Sequence, residues 1–255
     1  MTQYQRILYT INDGAIAHIT LNRPEKRNAL DDLIVSELKI ALRAAAETAH
    51  VKVVLLEGAG SDFCSGADLS VLEKIAQSSI LENLQDTAAL MELFLQVRNL
   101  PKPVVAAVRG RALAGGCGLA TACDIILAAE SAQFGYPEVK IGFIPAMVMA
   151  ILRRSVSEKR AFELITRGEP ITAMEAERIG LINQVYADTE FQTKVSHYLS
   201  TLVQRSASAV LLAKRLLYQM DNMSFEAALK SGMDANTICR MTEDCQQGIA
   251  KFLKK

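Results

Sequence analysis

Over its first 150 residues the chain alternates short apolar runs with polar turns, and beyond them the apolar positions recur at three and four. Residues 5–20 read as two short strands around Asn12-Asp13-Gly14, a hairpin signal. The second strand, AIAHITL, leads into the polar turn NRPEKRNAL. Asp31 and Asp32 stand where a helix cap is needed, ahead of LIVSELKIALRAAAETA. VKVVLLEGAG is a buried strand ended by Gly58 and Gly60, followed by a loop, SDFCSGADLSVL, and a long helix over roughly residues 80–99. Pro101 and Pro103 stop that helix. VVAAVRG and DIILAAE read as strands, and the next strand starts over residues 132–134. From Ile151 onward the pattern is helical: ILRRSVSEKRAFELIT, then MEAERIGL after an interruption at Gly168 and Pro170, then three further segments. This order predicts an α/β fold with largely buried strands and an appended helical layer suited to subunit contacts. No sequence repeat or low-complexity segment is evident.

Composition narrows the function classes. Half of the 255 residues are hydrophobic and only 6 are proline, as a well-filled interior requires. Lys plus Arg equals Asp plus Glu at 28 each, which argues against a nucleic-acid partner. No apolar run reaches the roughly 20 residues that span a bilayer. The N-terminus lacks the apolar stretch of a signal peptide, so no membrane association and a cytoplasmic location are expected. Five scattered cysteines (Cys64, Cys117, Cys123, Cys239 and Cys245) and three distant histidines form no familiar metal-ligand spacing; reduced, buried thiols are expected, and no metal.

The candidate chemistry lies in two stretches. KPVVAAVRGRALAGGCGLATACD, residues 102–124, joins a buried strand to a glycine-rich turn and a helix of small residues. Glycines at a helix start leave backbone N–H groups bare, which suits a developing negative charge. FGYPEVKIGFIP, residues 134–145, then brings one carboxylate, Glu138, where it can carry a proton. The alternative for Glu138 is a surface ion pair, with Lys140 for instance. For Gly66, Gly115 and Gly116 it is a purely conformational role in turns.

Five blocks in order, LNRPEKRNAL (21–30), FCSGADL (63–69), residues 102–125, residues 134–145 and ITAMEAERIGLINQV (171–185), together with the tail TEDCQQGIAKFLKK, resemble the crotonase superfamily of enoyl-CoA hydratases and isomerases over nearly the whole chain. The resemblance implies a spiral α/β core of repeated ββα turns that binds acyl-CoA (residues 1–195). It also implies a helical trimerisation region (residues 196–255) and assembly as a homotrimer or a hexamer. By motif position, the amides of Ala67 and Gly115 would hold the thioester oxygen as it becomes an enolate, and Glu138 would move the proton. Lys26, Ala29, Ser65, Gly66, Asp68, Leu69 and Gly116 would contact the substrate or its coenzyme A. Arg27 stands beside Lys26, and Lys251 and Phe252 could reach coenzyme A across a subunit boundary. Coenzyme A enters as part of the substrate, and no separate cofactor is implied.

One position departs from the hydratase pattern. Typical hydratases carry a second glutamate three residues beyond the oxyanion glycine, where this chain has Gly118. One carboxylate suffices to shift a double bond, whereas hydration requires it to activate water and supply a proton in turn. GGCGL followed by EVKIGFIPA nevertheless resembles bacterial hydratases of branched enoyl-CoA substrates such as the methylglutaconyl-CoA type. A 2-enoyl-CoA hydratase is therefore the leading expectation. Enoyl-CoA isomerase and a non-catalytic acyl-CoA- or RNA-binding member are the alternatives. Phe143, Ile144, Met147 and Met149 are candidates for the acyl end of the pocket, or for the core.

Overall fold

The computed structural model describes residues 4–12 and 15–254. Strands β1 (Ile7–Asn12) and β2 (Ile16–Leu21) pair antiparallel, as the hairpin pattern predicts; Asp13 and Gly14 of its turn lie outside the described residues. The apolar run of β3 (Val53–Gly58) pairs parallel to β2, and β4 (Val104–Val108), β6 (Ile125–Ala129) and β9 (Gln184–Tyr186) continue in parallel. The six-stranded order is β1-β2-β3-β4-β6-β9. A second, smaller sheet holds β5 (Arg111–Leu113), β7 (Gln133–Gly135) and β8 (Ile171–Thr172). Cys64 joins that sheet through a parallel bridge to Ala112.

The chain thus repeats one step: a strand in the large sheet, a short strand or bridge in the small one, then helix. β3 leads through Cys64 to α2 (Leu69–Gln77) and α3 (Ile80–Asn99). β4 leads through β5 to α4 (Gly115–Ala122), and β6 through β7 and a 3-10 turn at Pro137–Ile141 to α5 (Ala146–Ser155). Helix α1 (Asp32–Glu47) starts at the expected cap, Asp31, which accepts the Ile34 N–H. Its face of Ile34, Leu38, Ala41 and Leu42 packs into the main core. Each large apolar side chain so buried contributes about 1.5–3 kcal/mol.

Three readings of the pattern are corrected. The segment expected as loop through Leu72 turns helical at Leu69, because Asp68 caps α2 by accepting the Ser70 N–H. The region expected to be helical beyond Ile151 also contributes β8 and β9, too short for a period-2 pattern to register. After α6 (Glu158–Arg167) and α7 (Ala173–Arg178) come four helices rather than three: α8 (Phe191–Val203), α9 (Ala207–Gln219), α10 (Phe225–Arg240) and α11 (Glu243–Leu253).

The 195/196 division falls inside α8, whose Phe191, Val195 and Leu199 seal the far face of the large sheet against Val53, Leu55, Val105 and Leu127. Helices α9 to α11 bury no residue fully. They are tethered by Lys214, which donates to the carbonyls of Val97 and Lys102 and pairs with Asp124 at 2.8 Å. Tyr218 also donates to Asp124, and Arg98 stacks over the Tyr218 ring at 3.8 Å. Among the described residues no helix is long and apolar enough to cross a membrane.

Candidate active site

Two backbone segments build the site. In the first, the parallel bridge between Leu30 and Ala67 uses the residues on either side of Ala67: the Leu30 N–H donates to the Gly66 carbonyl (2.7 Å), and the Asp68 N–H donates to the Leu30 carbonyl (2.9 Å). Alternation along an extended chain turns the Ala67 N–H away from Leu30. Among the described residues that amide has no acceptor, and Ala67 is exposed. In the second segment, Gly115 opens α4, where the first turn of N–H groups has no intrahelical partner.

These segments abut. The Cys64 N–H donates to the Arg111 carbonyl, and the Leu113 N–H donates to that of Cys64, each at 3.0 Å. A Cβ placed on Gly66 would lie 2.8 Å from the Ala114 Cβ and 3.7 Å from the Gly115 nitrogen. Gly66 has φ +100°, a backbone setting that only glycine adopts at little cost. Ala114 is held at φ 49°, ψ −129°, a sparsely populated conformation that costs about 1–3 kcal/mol. Its N–H donates to Gly135, so the strained turn is fixed from the small sheet.

Glu138 sits half-buried in the 3-10 turn after β7. Its Oε2 is shielded from solvent and has no hydrogen-bond partner in the protein. Burial raises its pKa above the ordinary carboxylate range, and its charge is felt at Cys117 and Tyr136, on and beside the first turn of α4. The surface-ion-pair alternative does not hold: Lys140 pairs with Glu169 at 2.8 Å. Cys64 and Cys117 flank the site as buried thiols, both pushed up to about 12 by burial. All five cysteines are unbridged.

Residues 27–30 run beside 65–68, with the Ser65 N–H donating to the Arg27 carbonyl. Lys26 and Arg27 are exposed at one end of this strip, Ser65 is half-buried, and Ala29 is buried. Asp68 is buried and its carboxylate is committed to Arg23, Ser70 and the α2 cap, whereas Leu69 is 75 % exposed. Gly116 lies against Cys64. Phe143, Ile144 and Met149 are exposed, while Met147 packs partly into the core. Lys251 and Phe252 are exposed on α11.

The space beside Gly118 is closed by Val148 of α5 and Phe94 of α3. The acidic residues of α3 are engaged elsewhere. Glu82 closes a capping box with Ser79, Asp86 neighbours Asp32 and Lys74, and Glu92 pairs with Lys39. Arg23 and Asn28 did not stand out in the sequence, because charged and amide residues in a polar turn read as solvated. Both are buried.

Residues 12–255 match the sequence profile of the family described as Enoyl-CoA hydratase/isomerase. The chain is 35% identical over 238 residues to the 2,3-dehydroadipyl-CoA hydratase of Escherichia coli K12, covering 93% of this chain and 91% of that one. Among solved structures it is similar to an enoyl-CoA hydratase of Mycobacterium smegmatis (TM-score 0.94, 30% identity, 98% of this chain and 96% of that one). An enoyl-CoA hydratase of Bacillus anthracis superposes with TM-score 0.92 at 31% identity, again covering 98% and 96% of the two chains. The chain belongs to the enoyl-CoA hydratase/isomerase family of the crotonase superfamily, and its spiral α/β core is the fold of that family.

Proposed function

We propose that this protein is a hydro-lyase that adds water to a 2-enoyl-CoA thioester, or removes it, with Glu138 as its one catalytic carboxylate. The observation that carries the reading is the pair of acceptor-free amides at Ala67 and Gly115 on abutting segments, with Glu138, whose Oε2 is buried without a partner, close enough to the same helix start for its charge to reach Cys117. Donors of this kind stabilise charge where it develops, and loss of one typically costs about 3 kcal/mol of transition-state stabilisation.

In the forward direction Glu138 takes a proton from water as the water oxygen bonds to the β-carbon. The electron pair of the double bond moves onto the thioester oxygen, where the Ala67 and Gly115 amides hold it as an enolate. As the enolate collapses, the α-carbon takes a proton back from Glu138, and the carboxylate is regenerated. The strip formed by Lys26, Ala29, Ser65, Gly66 and Leu69, together with Gly116, receives the coenzyme A and pantetheine part of the substrate. Two exposed cations at its end suit phosphate groups. Asp68 serves this strip from inside. The names of the similar hydratases favour hydration.

The apolar wall at Gly118 favours a second reading, double-bond migration, because a lone carboxylate can take a proton from one carbon and return it to another. Incubation with crotonyl-CoA and with a 3-enoyl-CoA, following the conjugated thioester absorbance, separates the two. Loss of absorbance with the first supports hydration. Gain with the second and inertness toward the first supports isomerisation. Inertness toward both, with acyl-CoA still bound, would leave a binding protein.

The same reading includes a cytoplasmic setting and self-association through α9 to α11 as a trimer or a dimer of trimers. Its support is the exposed Phe225, Leu229, Met233, Ile238 and Met241 on and just beyond α10.

A further inference from the structure

We propose that Arg23 is the positioning residue for the Ala67 amide, gripping the Leu30–Ala67 bridge from inside the protein. This rests on Ala67 acting as a donor to the thioester oxygen.

Arg23 is 6 % exposed and its guanidinium reaches both strands of the bridge. On the first strand, Nη1 donates to the Ala29 carbonyl at 2.9 Å and lies 3.0 Å from Asp31 Oδ2. These two residues bracket Leu30. On the second, Nη2 donates to Asp68 Oδ2 at 2.9 Å, one residue beyond Ala67. Each carboxylate divides its oxygens between a helix start and Arg23, with Asp31 Oδ2 also 3.5 Å from Arg6 Nε. Asp31 Oδ1 accepts the Ile34 N–H that starts α1, Asp68 Oδ1 accepts the Ser70 N–H that starts α2, and each Oδ2 faces Arg23. One rigid fork therefore ties two helix starts to the strand pair between them.

The root of the fork is fixed too. The backbone N–H of Arg23 donates to Asn28 Oδ1, and the Asn28 side chain donates to the Ala59 and Asp62 carbonyls. A buried ion pair is weak evidence for stability, because apolar residues of similar volume often do as well. What this one provides is direction. With Gly66 and Asp68 held against Leu30, the peptide between them can present its N–H only outward. A lysine could not replace it, since one ammonium point lacks the planar fork that serves Asp31, Ala29 and Asp68 together.

Asp68→Asn is the principal test and Arg23→Lys the second. In Asp68→Asn the side-chain oxygen can still cap α2, and Arg23 retains Asp31 and Ala29, so the chain is expected to fold. The readouts are kcat and KM with crotonyl-CoA, the Kd of butyryl-CoA, and the difference-infrared stretch of its 13C-labelled thioester carbonyl when bound. In the wild type that stretch is expected below its value in water. In the variants it moves back toward the water value, and kcat falls about 10- to 100-fold, short of losing a donor outright. A raised Kd with stretch and kcat both at their wild-type values would place Asp68 in the coenzyme A strip alone and overturn the proposal. A wild-type stretch and kcat in Asp68→Asn would overturn the proposal, whatever happens to the melting temperature. An unshifted stretch in the wild-type complex would instead overturn the oxyanion reading itself, and this inference with it. If Arg23→Lys does not fold, Asp68→Asn decides alone.

Discussion

Gly118 and Val148 are in contact across α4 and α5 with no room for a side chain between them: a Cβ on Gly118 would stand 2.5 Å from Val148 Cγ2 and 3.2 Å from Phe94 Cζ. Alanine is ordinarily preferred to glycine inside a helix by about 1 kcal/mol. Here Gly118→Ala is expected to destabilise, by about 1–3 kcal/mol net, because Val148 is β-branched and stiff. The double variant Gly118→Ala, Val148→Ala should recover part of that loss in a thermal melt. Gly118→Glu is expected to destabilise further without raising the hydration rate, since the carboxylate has nowhere to sit.

Glu138→Gln should lower kcat by about 10²- to 10⁴-fold, as loss of a general acid–base does. It should also change the pH dependence of stability. Burial raises the pKa of Glu138 above 4.5, so the folded protein holds this proton more tightly than the unfolded chain. The stability so contributed is complete below the unfolded value and is lost as pH rises through the folded value. Melting curves between about pH 4 and about pH 8 should therefore show the glutamine variant gaining on the wild type as pH rises. A constant gap would contradict the burial assigned to this carboxylate.

The neighbouring glycines should behave differently. A Cβ on Gly116 would lie 2.4 Å from the Cys64 carbonyl oxygen, a backbone atom that cannot turn aside, whereas one on Gly115 meets only Leu30 Cδ1 at 3.5 Å. Gly116→Ala is expected to cost about 3 kcal/mol or more, and Gly115→Ala less than about 1 kcal/mol, by chemical denaturation.

Asp124 receives hydrogen bonds from the Val104 N–H, Lys214 and Tyr218. Asp124→Ala leaves a buried ammonium with only carbonyl partners and should cost about 3–5 kcal/mol. Lys214→Met should cost less, because Asp124 keeps two donors. Limited proteolysis should cut ahead of α9 sooner in the aspartate variant than in the lysine variant.

How much of this was legible beforehand differs by element. The strands β2, β3, β4 and β6 and the helix α1 are plain in the apolar pattern, because burial on one or both faces writes itself into the side chains; β1, of which only Ile7 is buried, is marked instead by the hairpin signal Asn12-Asp13-Gly14, and α3 by its stop at Pro101 and Pro103. β8 and β9 are not plain, since two or three residues carry no period and owe their pairing to strands far off in sequence. At the site, Ala67, Gly115 and Glu138 came from motif position, and the structure brings the first two onto abutting segments. Arg23 does not announce itself, because a charge in a polar turn looks solvated and its burial depends on Asp31 and Asp68 converging from two other segments. Likewise, nothing near Gly118 in sequence announces that Val148 and Phe94 fill its space.

The two acceptor-free amides hang from one run of backbone ladder, in which Leu30 meets Ala67 and Cys64 meets Ala112. Their separation is consequently a dimension of the main chain, held in register from behind by the buried Arg23 fork. Under the proposed function, substitutions around the acyl tail would leave the spacing of the two amides intact so long as that ladder and the arginine behind it remain.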